Sequence, residues 1–344
     1  MQTYSLVPSR NLIKAELQML KHAEPKMVLG GFGMFHEHPL KSTDTIVFRR
    51  VVPYNAGTNG VSSITATDFL LQEGSTPDAA TIDYEDVSVT LKHYGHLFKL
   101  SSDAALMYED DIPTHMLKQT GEILGQVAEM VDYGEFKAGI TVHYSNGSTR
   151  AGINTTISLP KLQAIARTLE NNQAQKVTSA IMPGLKFDTS AVEECFLCFV
   201  STDAVSDIRA LPGFTPRVKY GSAITPAHVR EFGACEDFRF ISSSLLAPFL
   251  AAGSASLNGM KATDSTNVDV YPMLVIGEEA WGHVSLKGHG KTSISPTYLP
   301  PNVKSIANPL GQFGYVGGDF RYASVRLNEN WFVRFEHAVT DLDA

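Results

Sequence analysis

The residues that come closest to a metal-binding pattern in this sequence are His36, Glu37 and His38, with His22 upstream. Histidines two positions apart point to the same face of a strand, so both imidazoles could reach one ion. The flanking sequence offers no third ligand in a defined context, and we expect surface or interface histidines instead. A cytosolic metal-dependent hydrolase that uses this trio is kept as an alternative function.

Cys195 and Cys198 have the C-x-x-C spacing of half a zinc site or of a redox pair. No second pair completes the site, and Cys235 is the only other cysteine. A three-residue step along a strand puts the two thiols on opposite faces, which favours two buried structural cysteines. An odd, low cysteine count also predicts a reducing compartment rather than a disulfide framework.

Three further stretches contain residues that could bind phosphate or transfer protons. LKGHGKTS at 286–293 resembles the end of a phosphate-binding loop, but Ser285 replaces the first glycine and no helix can follow. GGFGMF at 30–35 lacks the glycine spacing of a dinucleotide site. The acids of YEDDIPTH at 108–115 precede a helix, where they complement its dipole. We therefore predict no cofactor and no catalytic residues.

These residues are carried by a chain of 344 residues with a formal net charge of −8. The length predicts one large domain or two to three compact lobes. The acidic balance argues against a dedicated nucleic-acid binder, which usually carries a basic patch. The N-terminal sequence lacks the layout of a signal peptide, and no apolar run is long enough to cross a bilayer. No membrane partner is expected.

The order of predicted elements indicates an α+β fold, with long helices early and mixed sheets later. Apolar residues at helical spacing predict a long helix over about 111–138, and Ser158 begins a second amphipathic helix. The continuous apolar run at 195–200 predicts a buried strand. Alternating residues on either side of Asn328–Asn330 predict a C-terminal hairpin.

The segment from residue 45 to 100 predicts two strands joined by a long irregular tract. TIVFRRVV begins as a strand, in which Arg49 and Arg50 must point to opposite faces. The chain returns in a second strand, where a change of pattern at Gly95 predicts a bulge. Charges on both faces do not suit the core of a single domain, so the pattern favours a long two-stranded projection.

Four stretches resemble the major capsid proteins of N4-type tailed phages, which have the Hong Kong 97 (HK97) capsid fold. They are TIVFRRVVP with the later EGSTPDAATIDYEDVSVTLKHYGHLFKLSSD, then STDAVSDIRALPGF, then YPMLVIGEEAWGHVSLKG, and finally NPLGQFGYVGGDFRYASVRLNENWFVRFE. The resemblance implies a structural protein without catalytic residues. Its copies would assemble into the icosahedral shell that encloses the double-stranded DNA of the phage.

The resemblance also implies a division of the chain into named parts. Residues 1–44 would be the N-arm, which we expect to begin with a helix capped by Ser9. Residues 45–100 would be the extended loop (E-loop), a hairpin that reaches over a neighbouring subunit. The peripheral domain would comprise 101–189 and 315–344, with the long helix as its spine, and the axial domain would comprise 190–314.

The partners implied are further copies of the chain in pentamers and hexamers, a portal protein, and packaged DNA held without sequence specificity. A separate scaffolding protein is expected, because the arm is too short to hold the cleavable scaffolding domain of some capsid proteins. A cement or decoration protein is left open. The protein would be made in the cytoplasm of the host bacterium and reside in the virion, and a minor decoration or tail protein is kept as an alternative.

Contacts between subunits are expected at basic residues on the predicted ribbon: Arg49, Arg50, Lys92, His93, His96 and Lys99. Planar guanidinium groups favour bidentate pairing with carboxylates at interfaces, and a neighbouring acidic subunit would supply those carboxylates. The alternative is that the arginines are simply solvated on an exposed ribbon.

Overall fold

A computed structural model describes residues 27–52, 66–71, 73–74, 81–107, 111–182, 188–220, 225–255, 257, 259–286, 295–304 and 308–342. The chain divides into two compact units. Unit 1 comprises Met1–Asp44, Thr90–Glu135 and Trp281–Val325, and unit 2 comprises Thr45–Val89, Phe136–Ala280 and Arg326–Ala344. Within the described ranges, no helix has the length and apolar character needed to cross a bilayer. The helix predicted after Ser9 lies outside these ranges.

The described helices are α1 Ser102–Met107, α2 Ile112–Lys137, α3 Leu159–Asn171 and α4 Val205–Arg209. The first strands are β1 Met34–His38, β2 Thr45–Val51, β3 Tyr84–Thr90, β4 Lys92–Ser101, β5 Val142–Tyr144, β6 Val177–Met182 and β7 Asp188–Ser201. They are followed by β8 Thr215–Pro216, β9 Glu231–Cys235, β10 Phe238–Ser243, β11 Tyr271–Ile276, β12 Trp281–Leu286, β13 Ser295–Leu299, β14 Phe313–Arg326 and β15 Phe332–His337.

In unit 1, the long helix α2 packs on a mixed sheet. The strands β1, β12, β14 and β13 lie side by side in that order, and β4 also pairs with β14. The apolar stripe of the helix faces this sheet because its members recur at helical spacing. The residues that pack together are Leu117, Leu124 and Ala128 of the helix and Val316, Phe320 and Tyr322 of β14. The long helix predicted from the sequence is confirmed.

In unit 2, a second sheet has the strand order β5-β15-β11-β7-β10-β9-β8, and β6 also pairs with β7. Helix α3 buries Leu162, Ile165 and Leu169 against it. Both neighbours of β7 cover its edges, and the apolar run from Cys195 to Val200 is buried throughout. The prediction of a fully buried strand is therefore confirmed. Ser158 occupies the N-cap of α3, although its side chain makes no capping hydrogen bond.

The predicted C-terminal hairpin is wrong, although both of its strands exist. β14 pairs with strands of unit 1, whereas β15 pairs with β11 and β5 in unit 2. A short 3-10 turn at Glu329–Trp331 redirects the chain between them. Alternating residues satisfy any sheet that has one buried face, so the pattern alone could not choose the partner strand.

The two units group the residues differently from the expected domains, whose boundaries stay a prediction. β12 and β13 fall within 190–314, which we expected to be one domain with β7, yet they belong to the sheet of unit 1. Residues 136–189, expected to accompany the long helix, belong to unit 2. Both groups of residues are placed in their units by pairing between strands that are far apart in the sequence. Patterns within a single sequence do not show which distant strands pair.

The predicted bulge at Gly95 is wrong as well. Strand β4 pairs with β14 in continuous register through Gly95, which lies opposite Asp319. The break in the return strand falls at Leu91, between β3 and β4. A Cβ at Gly95 would lie 3.3 Å from the carbonyl oxygen of Gly318, so the glycine accommodates a close approach of two backbones.

Candidate subunit-contact surface

The strands β2 and β3 pair with each other in a separate two-stranded sheet, which we call the ribbon. At one end, the Val52 N–H donates to the carbonyl of Asp83 at 3.0 Å. At the other end, the Leu91 N–H donates to the carbonyl of Asp44 at 2.9 Å. These two bonds set an antiparallel register for the strands between them.

This register places each adjacent arginine opposite a carboxylate of the return strand. Arg49 donates through Nε and Nη2 to the two carboxylate oxygens of Asp86, at 2.7 and 2.8 Å. Arg50 donates through Nε and Nη2 to Oε2 of Glu85, at 2.8 and 2.5 Å. Because side chains alternate, the two ion pairs lie on opposite faces of the ribbon. The carboxylates that we expected from a neighbouring subunit are therefore supplied by the same chain.

The pair formed by Arg49 and Asp86 is exposed to solvent. Hydrogen bonding to the Arg49 guanidinium, together with its charge, lowers the pKa of the Asp86 carboxyl. The same bond and charge raise the pKa of Arg49. Its guanidinium carbon also lies 5.7 Å from the ring centre of Tyr84, within cation–π range.

The two faces of the ribbon differ in burial. One face carries Ile46, which is buried, and Val87 and Val89, which are half-buried. The opposite face carries the outer strip, which we define as Val47, Val51 and Tyr84, with exposures of 55%, 59% and 59%.

Apolar side chains that are exposed in a row on one strand face are typical of protein contact surfaces. The stretch between the strands adds three more exposed apolar residues, Phe69, Leu70 and Leu71. Sequence reasoning singled out the arginines and missed the outer strip. The alternation of residues in β2 already places Val47 and Val51 on one face. The sequence does not show which residues of β3 lie opposite them, and that pairing is needed to recognise the strip.

The other four predicted contact residues do not lie on the ribbon but on β4, in the sheet of unit 1. His93 Nε2 lies 2.8 Å from a carboxylate oxygen of Asp319. Lys99 Nζ lies 3.6 Å above the ring centre of Phe313. The ring centres of His96 and Phe98 lie 4.5 Å apart in an edge-to-face arrangement, and Lys92 is exposed. The predicted set is thus divided between two separate parts of the chain.

No protein-family model matches the chain. A curated relative is the major capsid protein of Pseudomonas phage KPP21, which is 22% identical over 261 residues. The match covers 70% of this chain and 64% of the relative, so the chain spans slightly less than two thirds of that protein's length.

Two solved structures are similar over nearly the whole chain. The capsid of Ralstonia phage GP4 matches with a TM-score of 0.64 at 11% identity, covering 93% of each chain. The capsid asymmetric unit of cyanophage Pam1 matches with a TM-score of 0.57 at 12% identity, covering 93% of this chain and 92% of the other. The chain has the HK97-like capsid fold.

The HK97-like fold confirms the fold class predicted from the four resembling stretches. The chain shows a long helix packed on one sheet, a second sheet in unit 2 and the two-stranded ribbon. The assignment to the N4-type branch stays a prediction.

Within this fold, the predicted metal trio lies on strand β1, which pairs in parallel with β12. His36 and His38 share a strand face, and Nε2 of His38 lies 2.5 Å from the carbonyl of Thr43. Among the described residues, no three His, Cys, Asp or Glu side chains come close enough together to hold a metal ion. His22 lies outside those residues.

The glycine stretch at 30–35 forms a 3-10 turn at Leu29–Gly31 and then enters β1. Gly33 has a positive φ of 83°, and a Cβ there would lie 2.6 Å from the Trp281 ring. This glycine is required by backbone geometry and by close packing. Of the phosphate-loop-like stretch, residues 287–293 lie outside the described residues.

The acidic stretch at 108–115 is described from residue 111 onward. The Asp111 carboxylate accepts hydrogen bonds from the backbone N–H and the hydroxyl of Thr114. It therefore caps the first turn of α2, which confirms a structural role for this acid.

All three cysteines are buried and free. Burial raises the pKa of the Cys195 thiol to about 12 and raises that of Cys198 well above its ordinary value. Thiols of this kind are protonated and inert at neutral pH. The prediction of buried structural cysteines is confirmed.

Proposed function

We propose that this chain is the major capsid protein of a tailed phage, and that its copies form the icosahedral shell around the double-stranded genome. The observation that carries the proposal is the match to phage capsid structures over about nine tenths of the chain. The curated relative, named as a major capsid protein, supports the same role.

We also infer how the two units serve in such a shell. Unit 1, which holds α2 and its sheet, corresponds to the peripheral domain, and the large sheet of unit 2 corresponds to the axial domain. The ribbon corresponds to the E-loop and residues 1–44 to the N-arm. A scaffolding protein and a portal protein are the partners that assembly of this kind needs.

The ribbon is the surface that we propose contacts a neighbouring copy. Its charged residues are already paired within the chain, so its outer strip is the part left to bury. Transferring such apolar side chains out of water favours association by roughly 25 cal/mol for each Å² that is covered. Many weak contacts of this kind allow errors to be corrected before the shell closes.

The test is to co-express the chain with the genes adjacent to its own and to examine the products by electron microscopy. We expect closed particles tens of nanometres wide, and lysates that contain only monomeric chain would contradict the proposal. In the double variant Val47→Asp/Val51→Asp, two charges lie on the outer strip, and we expect a large loss of particles with little change in the thermal midpoint of the monomer.

A control is Val218→Asp, which introduces one such charge, half the change of the double variant, at a valine that is 95% exposed in unit 2. Normal particles from the control and none from the double variant would assign the contact to the ribbon. Normal particles from both would leave the shell proposal intact but remove the outer strip from it.

A further inference from the structure

Unit 1 contains two carboxylates that are fully buried on the long helix. Glu129 and Asp132 are separated by three positions of α2, so their side chains lie on one face. Oε2 of Glu129 accepts hydrogen bonds from the backbone N–H groups of Val28 and Leu29, each at 2.9 Å. The segment that leads into β1 is therefore fastened to the helix through one side chain.

The second carboxylate, Asp132, lies beside the first and beneath the same segment. The Tyr322 hydroxyl lies 2.8 and 2.9 Å from its two oxygens and donates to them. A Cβ built on Gly30 would lie 3.8 Å from Asp132 Oδ2, so the turn lies directly over the acid. Any change of charge on Asp132 is thus felt at the point where the turn is held.

The groups around Asp132 act on its charge in opposite directions. Glu129 and Glu135 of its own helix disfavour a negative charge on it, whereas the hydroxyls of Tyr322 and Ser324 on β14 favour one. Burial, with the charge of Glu129 next in importance, raises the pKa of Asp132 well above its ordinary value. Residues 27–31 bring no titratable side chain to the site. From β12, the ring of His283 lies 5.9 Å from that of Tyr322.

We propose that Glu129 and Asp132 form a proton-dependent latch that holds the Val28–Gly31 turn on α2. While Asp132 is neutral, Glu129 carries the charge that the two backbone N–H groups stabilise. When Asp132 loses its proton, two buried like charges lie on successive turns of one helix, and the repulsion between them displaces Glu129 from the turn. The carboxyl proton passes to solvent, and no other bond is made or broken.

The direction of the pH dependence follows from the sign of the shift. A carboxyl whose pKa is raised in the folded state stabilises that state below its ordinary pKa. This stabilisation is lost as the pH rises through the folded-state pKa. The turn is therefore held while Asp132 is protonated and is released as the pH rises through the raised pKa of that carboxyl.

The test is hydrogen exchange at the Val28 and Leu29 amides of the purified full-length chain, expressed as protection factors between about pH 5 and pH 10. We expect the protection of both amides to fall with rising pH in the wild type. Asp132→Asn, which stays neutral, should keep a constant protection factor over this range. Glu129→Gln should lower protection about tenfold in the pH range where the wild type is latched, because it weakens the acceptor. Its protection should not fall further with rising pH, because ionised Asp132 does not repel a neutral amide.

Glu122→Gln is the matched control, since it removes an equal charge from the same helix two turns earlier, and it should keep the wild-type profile. If Asp132→Asn does not fold, Tyr322→Phe provides a second measurement. Loss of the donor hydroxyl should shift the wild-type transition to higher pH. A pH-independent wild-type profile, or a transition that neither variant changes, would overturn the latch. Because the measurement needs no shell, its failure would not affect the proposed function.

Discussion

Two sets of arginine–carboxylate pairs in this chain have the same chemistry and opposite surroundings. On the ribbon, Arg49 and Asp86 form a bidentate pair in full contact with solvent. In unit 2, Glu336 is completely buried and accepts from both Arg150 and Arg334, at 2.7 to 2.9 Å. The difference is that both partners of the first pair can be hydrated when the pair opens, whereas the carboxylate of Glu336 has no access to solvent.

This contrast separates residues that hold the subunit together from residues that shape its surface. A buried carboxylate that loses its charge leaves its arginine partners without compensation, so the cost falls on folding. An exposed pair contributes little to folding, because water screens it and solvates each partner alone. Breaking the exposed pair is expected to change the strand register and the surface of the ribbon, and therefore to affect assembly.

The largest expected effect is in the buried set. Glu336→Gln keeps the shape of the side chain but leaves Arg150 and Arg334 facing a neutral amide. We expect the free energy of unfolding to fall by about 3–5 kcal/mol, measured by denaturant titration. The matched control is Glu85→Gln, the same chemical change on the ribbon, which should leave the unfolding midpoint unchanged. If the two variants lowered the free energy of unfolding equally, the proposed difference between the buried and the exposed pairs would be wrong.

The intermediate effect is in assembly. Arg49→Asp places two carboxylates opposite each other on the ribbon, and we expect fewer particles by electron microscopy at an unchanged thermal midpoint. The swap Arg49→Asp/Asp86→Arg restores a pair of opposite charges within the chain and should recover most of the particles. If the swap is as defective as the single variant, the arginine is recognised by a carboxylate of another copy, as the sequence suggested.

The smallest expected effect is the titration of Asp86. Its pKa is lowered in the folded chain by Arg49, so the pairing contributes above the ordinary pKa and is lost as the pH falls through the folded value. The carboxyl resonance of Asp86, followed by NMR, should titrate below the usual range for an aspartate. Arg49→Gln should move the midpoint back up, and an identical midpoint in both proteins would contradict the pairing.

The elements of this fold were readable from the sequence where one local pattern sufficed. The helix at Ile112–Lys137 was predictable because its apolar residues recur over seven turns and Asp111 caps its start. The strand at 195–200 was predictable because a continuous apolar run needs cover on both faces. In both cases the pattern that decides the prediction lies within a single continuous segment of the chain.

Partners of strands were not readable in the same way. β15 could have paired with β14, its neighbour in sequence, yet it pairs with β11. Likewise, no tight turn connects β2 to β3, so nothing in the sequence fixed Glu85 and Asp86 opposite the two arginines. The basic residues of the predicted site were found, but their carboxylate partners depend on a register that only the folded chain defines.

The reactivity of the three cysteines can report how often the sheet of unit 2 opens. Cys195, Cys198 and Cys235 all lie in the sheet of unit 2 and are shielded from solvent. A thiol-specific dye would therefore react only in molecules whose sheet has come apart, and the labelling rate would report that event subunit by subunit. In an intact particle the same reaction would measure how far neighbouring copies slow it, without any engineered probe.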